Sequence, residues 1–136
     1  MASSIHDLPG NHTAFAIIPA HAAATATESI PIFVAPFACK LMSVTVTPAA
    51  AATGDNTNRT NINLQNGGTA GTGTTELGNL DYATGTDAAV GVPQTVYSST
   101  TGTALAAGSV LKAVYEKVGN GVALGANLVT ITYRGN

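Results

Sequence analysis

Apolar and polar residues alternate along most of this chain with a period of two, in short runs broken by Gly, Pro, Asn and Asp. That is the pattern of half-buried β-strands joined by turns. The longest apolar run, Ile30 to Thr47, reads IPIFVAPFACKLMSVTVT. Pro31 and Pro36 each remove a ladder donor and bias the preceding residue toward extended geometry, so the run predicts two strands meeting at a bend, on an edge or at a corner, and not a helix. Its phase changes part-way. Phe37, Cys39 and Leu41 share one face whereas Met42, Val44 and Val46 share the other, so a β-bulge is expected near Leu41 and Met42.

The remaining runs are shorter. Thr13 to Pro19, with Phe15, Ile17 and Ile18, predicts a first strand, and the alternating Ala and Thr of residues 25–27 lead into the second. Pro48 ends the long run, and Gly54-Asp55-Asn56 supplies turn chemistry in the loop that follows. Arg59 to Asn66 places Ile62 and Leu64 on one face and Asn61, Asn63 and Gln65 on the other. Gly67 to Thr75 reads as a turn or loop, Leu77, Leu80 and Tyr82 as a short strand, Val92 to Tyr97 as another, and Ser98 to Thr103 as a polar loop. Ser109 to Val118 and a last strand carrying Val129, Ile131 and Tyr133, joined through Gly119-Asn120-Gly121 and Gly125, predict a hairpin. The expected class is therefore all-β: an antiparallel β-sandwich of about eight strands, jelly-roll-like, with a closed barrel as the alternative. Residues 1–10 read as an extended N-terminal arm whose Ile5 and Leu8 are candidate partner-binding residues, and residues 11–136 as a single β-sandwich domain.

Composition changes the picture mainly by what it removes. Charged residues are 9% of the 136, against a usual share of about a quarter, and Ala, Thr, Gly and Asn take the polar and small positions. Such a surface is neutral, low in side-chain entropy and suited to close packing on protein. With Lys plus Arg totalling 5 and a formal net charge of -2, there is no basic footprint for nucleic acid. The apolar run is too short and too interrupted to cross a membrane. Cys39 is the only cysteine, so no internal disulfide or cysteine-based metal cluster forms, and its neighbours predict a buried, unreactive thiol. The first residues lack the basic and apolar regions of an export leader, so the sequons at Asn11 and Asn58 carry little weight.

Catalytic signals are sparse. His6, His12 and His21 have no acidic cluster at ligand spacing. Asp7, Glu28, Asp55, Glu76, Asp81, Asp87 and Glu116 are scattered, and there is no GxSxG elbow. The glycines at 68, 71 and 73 lack the lysine and following helix of a phosphate loop. Few aromatics and no tryptophan weaken a sugar-stacking module. No enzyme activity, metal or cofactor is expected.

The order IPIFVAPFACKLMSVTVTP, an Ala/Thr/Gly/Asn-rich turn, TNINLQNGG and then LAAGSVLKAVYEKVGNGVALGANLVTITY resembles the head decoration, or cement, proteins of tailed bacteriophages over roughly Ile30 to Tyr133. The resemblance lies in the style of strand and turn and carries over no functional residue. It implies a virion protein on the outer surface of the capsid, partnered by the major capsid protein and by itself, often as a homotrimer at local threefold positions, with no nucleic-acid or membrane partner. The alternative is a receptor- or carbohydrate-binding module of a virion tail or cell surface, and a further rival is a hydrolase with a nonlocal carboxylate pair. Aromatics clustered with carboxylates in a concave pocket favour the rivals; a flat apolar side patch plus an ordered arm favours assembly.

Overall fold

The computed structural model describes residues 10–136. They form eight strands, β1 (Asn11–Ile18), β2 (Glu28–Val34), β3 (Cys39–Pro48), β4 (Arg59–Asn66), β5 (Thr75–Asp81), β6 (Gln94–Leu105), β7 (Val110–Val118) and β8 (Asn127–Gly135). Two four-stranded sheets result, with strand orders β1-β8-β3-β6 and β2-β7-β4-β5. All pairings are antiparallel. β1 lies beside β8, β2 beside β7, β3 beside β6 and β4 beside β5, so the second half of the chain retraces the first. Rolling that ribbon brings β3 against β8 and β4 against β7. This is the jelly roll, as the strand count and turn spacing predict.

The crossings between sheets are themselves paired. Where β2 passes to β3, Ala35 donates to the Ser109 carbonyl at 2.9 Å and accepts from the Gly108 N–H at 2.8 Å, on the crossing from β6 to β7. The crossing from β1 to β2 meets that from β7 to β8 through reciprocal 2.8 Å bonds between His21 and Leu124. The crossing from β3 to β4 meets that from β5 to β6 through reciprocal bonds of Ala52 and Ala88. At the end of the last of these, Asp55 accepts from the backbone N–H groups of Thr57 and Asn58. Those N–H groups of Asn58 and Thr57 hold its carboxyl below the usual carboxylate range and shape the turn into β4.

Two expectations are corrected. β7 and β8 are not a hairpin: β7 lies between β2 and β4, and β8 between β1 and β3. The linking segment is pinned instead to β4 and to the first crossing, with Thr60 Oγ1 donating to the Val122 carbonyl at 2.8 Å and accepting from its N–H at 2.9 Å. Ser98 to Thr103 is not a free loop but lies within β6, as an excursion between the pairs Ser43 with Ser98 and Leu41 with Thr103.

The expected bulge is present: β3 shifts register at Met42 against both β6 and β8. Cys39 and Leu41 before it, and Val44 and Val46 after it, all face the core. The β6 excursion fits over the bulge. Gly102 has φ of 79°, and a Cβ there would stand 2.8 Å from both the Lys40 Cβ and the Met42 sulfur. Ile62, Leu64, Leu111, Ala113 and Tyr115 of the second sheet meet Val129, Ile131 and the β3 residues in one apolar layer. Cys39 is buried there, and desolvation raises its thiol pKa, so the neutral thiol is favoured.

Gly102→Ala is expected to destabilise the fold by about 2 kcal/mol, combining left-handed backbone strain with displacement of Met42, read as a lower denaturant midpoint at unchanged slope. Alkaline stability supplies a second test. Tyr82 is fully buried, and desolvation first, then the neighbouring Tyr115, pushes its pKa up to about 12. A raised phenol pKa means the folded state holds the proton more tightly, so this contribution is complete below pH of about 10 and is lost as pH climbs from about 10 to 12. Chemical denaturation of Tyr82→Phe, which has no phenol to ionise, should show a shallower fall over that interval than the parent chain.

Candidate interaction surface

The outer face of the β1-β8-β3-β6 sheet follows from the same alternation that builds the core. With Ala14, Ala16 and Ile18 facing in, Thr13, Phe15 and Ile17 face out; with Val129 and Ile131 in, Leu128, Thr130 and Thr132 face out; with Val44 and Val46 in, Ser43, Thr45 and Thr47 face out. Register sets these side chains in rows: Thr13, Thr132, Ser43 and Ser98; then Phe15, Thr130, Thr45 and Thr95; then Ile17, Leu128 and Thr47. Threonine's branched Cβ suits an extended backbone, and Thr pairs across strands support the ladder. Phe15, Ile17 and Leu128 are 66%, 73% and 43% exposed. Gly91 donates to the Pro48 carbonyl at 2.9 Å, which brings the exposed Val90 and Val92 to the same end of the sheet.

Charge is divided between the sheets. Among the described residues no carboxylate lies on β1, β3, β6 or β8, whereas Glu28, Glu76, Asp81 and Glu116 lie on β2, β5 and β7. The only charged side chains on the first sheet are Lys40 and Arg134, directly opposite one another at its far end. Neither has a carboxylate partner among the described residues. A like-charged pair in that position is unfavourable by a few tenths of a kcal/mol up to about 1. The face therefore grades from a cationic end, through an uncharged Thr and Ser field, to an apolar end.

Beside the cationic end of this sheet sits a ring cluster: His12 stacks on Tyr133 at 5.4 Å, and Phe33 and Phe37 lie 5.0 and 6.0 Å from Tyr133. Nε2 of His12 is buried with no hydrogen-bond partner among the described residues.

A separate polar cluster holds the first crossing. His21 is buried, its Nδ1 2.7 Å from Oε2 of Glu28, and its ring stacks on Tyr115 at 4.5 Å. The Tyr115 hydroxyl donates to the Pro19 carbonyl at 3.1 Å. Burial is the main cause of this phenol's raised pKa, opposed by a hydrogen bond with Asn127 and reinforced by Glu28. An imidazole and a carboxylate in contact can pass a proton, but among the described residues no serine, threonine or cysteine hydroxyl or thiol is hydrogen-bonded to His21. Its geometry is that of a staple between β1, β2 and β7. Sequence reasoning missed the pair because seven residues and a turn separate its members.

The candidate arm, with Ile5 and Leu8, falls outside the described residues except for Gly10. His12 and His21 stand apart in different clusters, and among the described residues no three of His, Cys, Asp and Glu are grouped to hold a metal ion. No family model matches the chain, and no curated protein or solved structure matches it significantly.

The staple makes its own prediction. His21→Ala removes a buried ring and leaves Glu28 without its donor, and is expected to cost about 2 to 4 kcal/mol. Glu28→Gln keeps an acceptor for Nδ1 and should cost less. Equal denaturant midpoints for His21→Ala and the parent would refute the structural role.

Proposed function

We propose that this is a non-enzymatic structural protein of a bacteriophage particle, one that decorates the outer surface of the capsid and stabilises it by binding across neighbouring shell subunits. The observation that carries the reading is the uncharged outer face of the β1-β8-β3-β6 sheet, with its exposed Phe15, Ile17 and Leu128 at one end. Thr and Ser lose little rotamer freedom when covered, and an uncharged field has no ions to desolvate, so such a face packs on protein at low cost. The facing pair of Lys40 and Arg134 gives the contact a polarity: carboxylates on the shell would relieve their repulsion and fix the orientation. The jelly roll is compatible with this use, being common in viral capsid domains, but it also serves lectins and so does not decide the matter. Self-association, with a homotrimer as the form implied by resemblance, belongs to the same proposal, as does an arm reaching a neighbour through Ile5 and Leu8.

The carbohydrate-binding alternative rests on the ring cluster of His12, Phe33, Phe37 and Tyr133. Among the described residues neither His12 nor Tyr133, the polar members of that cluster, is paired with a carboxylate, which favours assembly over sugar recognition.

The test is retention on undecorated shells after sedimentation through a cushion. Thr130→Glu, in the middle of the face, places an unpaired charge in the contact and is expected to reduce retention about tenfold or more. Glu76→Gln, on the other sheet, should leave retention unchanged. Equal retention of Thr130→Glu and the parent would remove this face as the docking surface, and failure of the parent to bind any shell, together with binding to a glycan array that Tyr133→Ala abolishes, would transfer the function to the alternative.

A further inference from the structure

A two-sheet sandwich has four edge strands, which among the described residues are β1 and β6 in one sheet and β2 and β5 in the other. Each presents backbone groups that another strand can pair with, and proteins that stay apart interrupt such edges with proline, charge or bulges. Three of the four are interrupted. β2 carries Glu28, Pro31, which has no N–H, and a register shift between Pro31 and Phe33. β5 carries Glu76 and Asp81, and its pairing with β4 is irregular at Gln65. β6 breaks register twice against β3, once through the excursion containing Ser99 to Gly102. β1 has none of these features: NHTAFAII contains no proline and no charged side chain, and its eight residues pair with β8 in unbroken register.

We propose that β1 pairs antiparallel with β1 of a second copy, joining two four-stranded sheets into one continuous sheet of eight strands across a twofold axis. The occupant is a second copy because β1 is complementary to itself. It carries no Asp, Glu, Lys or Arg from end to end, so no such groups of like charge face each other when two copies meet. A twofold axis perpendicular to the sheet keeps the outward faces on one side, so outward residues fall opposite outward residues. With the axis at Ala16, Phe15 lies opposite Ile17 of the second copy and Ile17 opposite its Phe15. The two most exposed large apolar side chains on each strand thereby cover one another. The inward Ala14 and Ala16, which are half-buried at the open margin, are covered by the same contact. In the second layer the two β2 strands come to lie near each other, and their Pro31 and bulge keep that layer from pairing, so the joint is confined to β1. The joint uses Phe15 and Ile17, which the proposed docking face also carries, and leaves Leu128 and the Thr and Ser rows of both copies uncovered; its twofold symmetry differs from the threefold clusters that the resemblance implies.

Sedimentation equilibrium and native mass spectrometry of the full chain test it. The parent should show a reversible species of twice the chain mass. Phe15→Lys/Ile17→Lys sets like charges opposite each other on the outward face and should be monomeric, with a cooperative transition at the midpoint that the parent shows when diluted to its monomer, which establishes that the fold is intact. Register is read by oxidation: an equimolar mixture of Phe15→Cys and Ile17→Cys chains should cross-link into a mixed dimer faster than either variant does alone, Cys39 being buried. A parent chain that stays monomeric up to its solubility limit, a trimer or dimer that survives the double lysine substitution, or cross-linking no faster in the mixture would each overturn the proposal.

Discussion

The fold depends on the pairing of its crossings. Carrying a chain from one sheet to the other exposes backbone groups at each corner, and those groups need partners wherever the corner is covered. Here each crossing is hydrogen-bonded to the crossing that retraces it: Ala35 to Ser109 and Gly108, His21 to Leu124, Ala52 to Ala88. The ribbon therefore continues through the corners instead of ending at them, and the order of strands in both sheets follows from that continuity. β3 then takes on a particular burden, since it is paired on both flanks and is ten residues long. A strand of that length in one phase would turn either Leu41 or Val44 outward. The bulge at Met42 lets both face in, and it is tolerated because glycine at 102 leaves space on the neighbouring strand.

Much of this was legible in the chain. The alternation at Ile62 and Leu64 and at Val129 and Ile131 marked strands and their buried faces, and the phase change between Leu41 and Met42 located the bulge, because period-two patterning is a local property that burial enforces. Pairing was not legible in the same way. Gly119-Asn120-Gly121 has the chemistry of a hairpin turn, yet the segment leads β8 into the other sheet, because contacts to Thr60 and His21, far away in sequence, decide its path. The β6 excursion reads as a loop for a related reason: Ser98 to Thr103 is Ser, Thr and Gly throughout, with no apolar alternation, and only its neighbour's bulge reveals that the strand resumes.

The uncharged face proposed as an interaction surface was legible in composition but not in place. A low share of charge pointed to close packing on protein, while the division of that charge between the sheets emerges only when the strands are assigned to them. β1 illustrates the limit. Its largest side chains, Phe15 and Ile17, are on the solvent side while Ala14 and Ala16 face in, because Ile18 must enter the core and an unbroken register fixes the phase of every residue before it.

That inversion has an energetic meaning. The charges of this chain are unevenly placed, and the strand carboxylates Glu28, Glu76, Asp81 and Glu116 all stand on the sheet β2-β7-β4-β5. The opposite sheet holds Phe15 and Ile17 outward at an edge that lacks proline, charge and bulge. Burying two such side chains is worth roughly 1.5 to 3 kcal/mol each, which a solitary molecule forgoes and an assembled one recovers. An apolar side chain standing alone on a surface needs no explanation. Two on one uninterrupted edge strand, beside an uncharged sheet face, with the other three edges interrupted, are the features on which the proposed pairing of β1 rests.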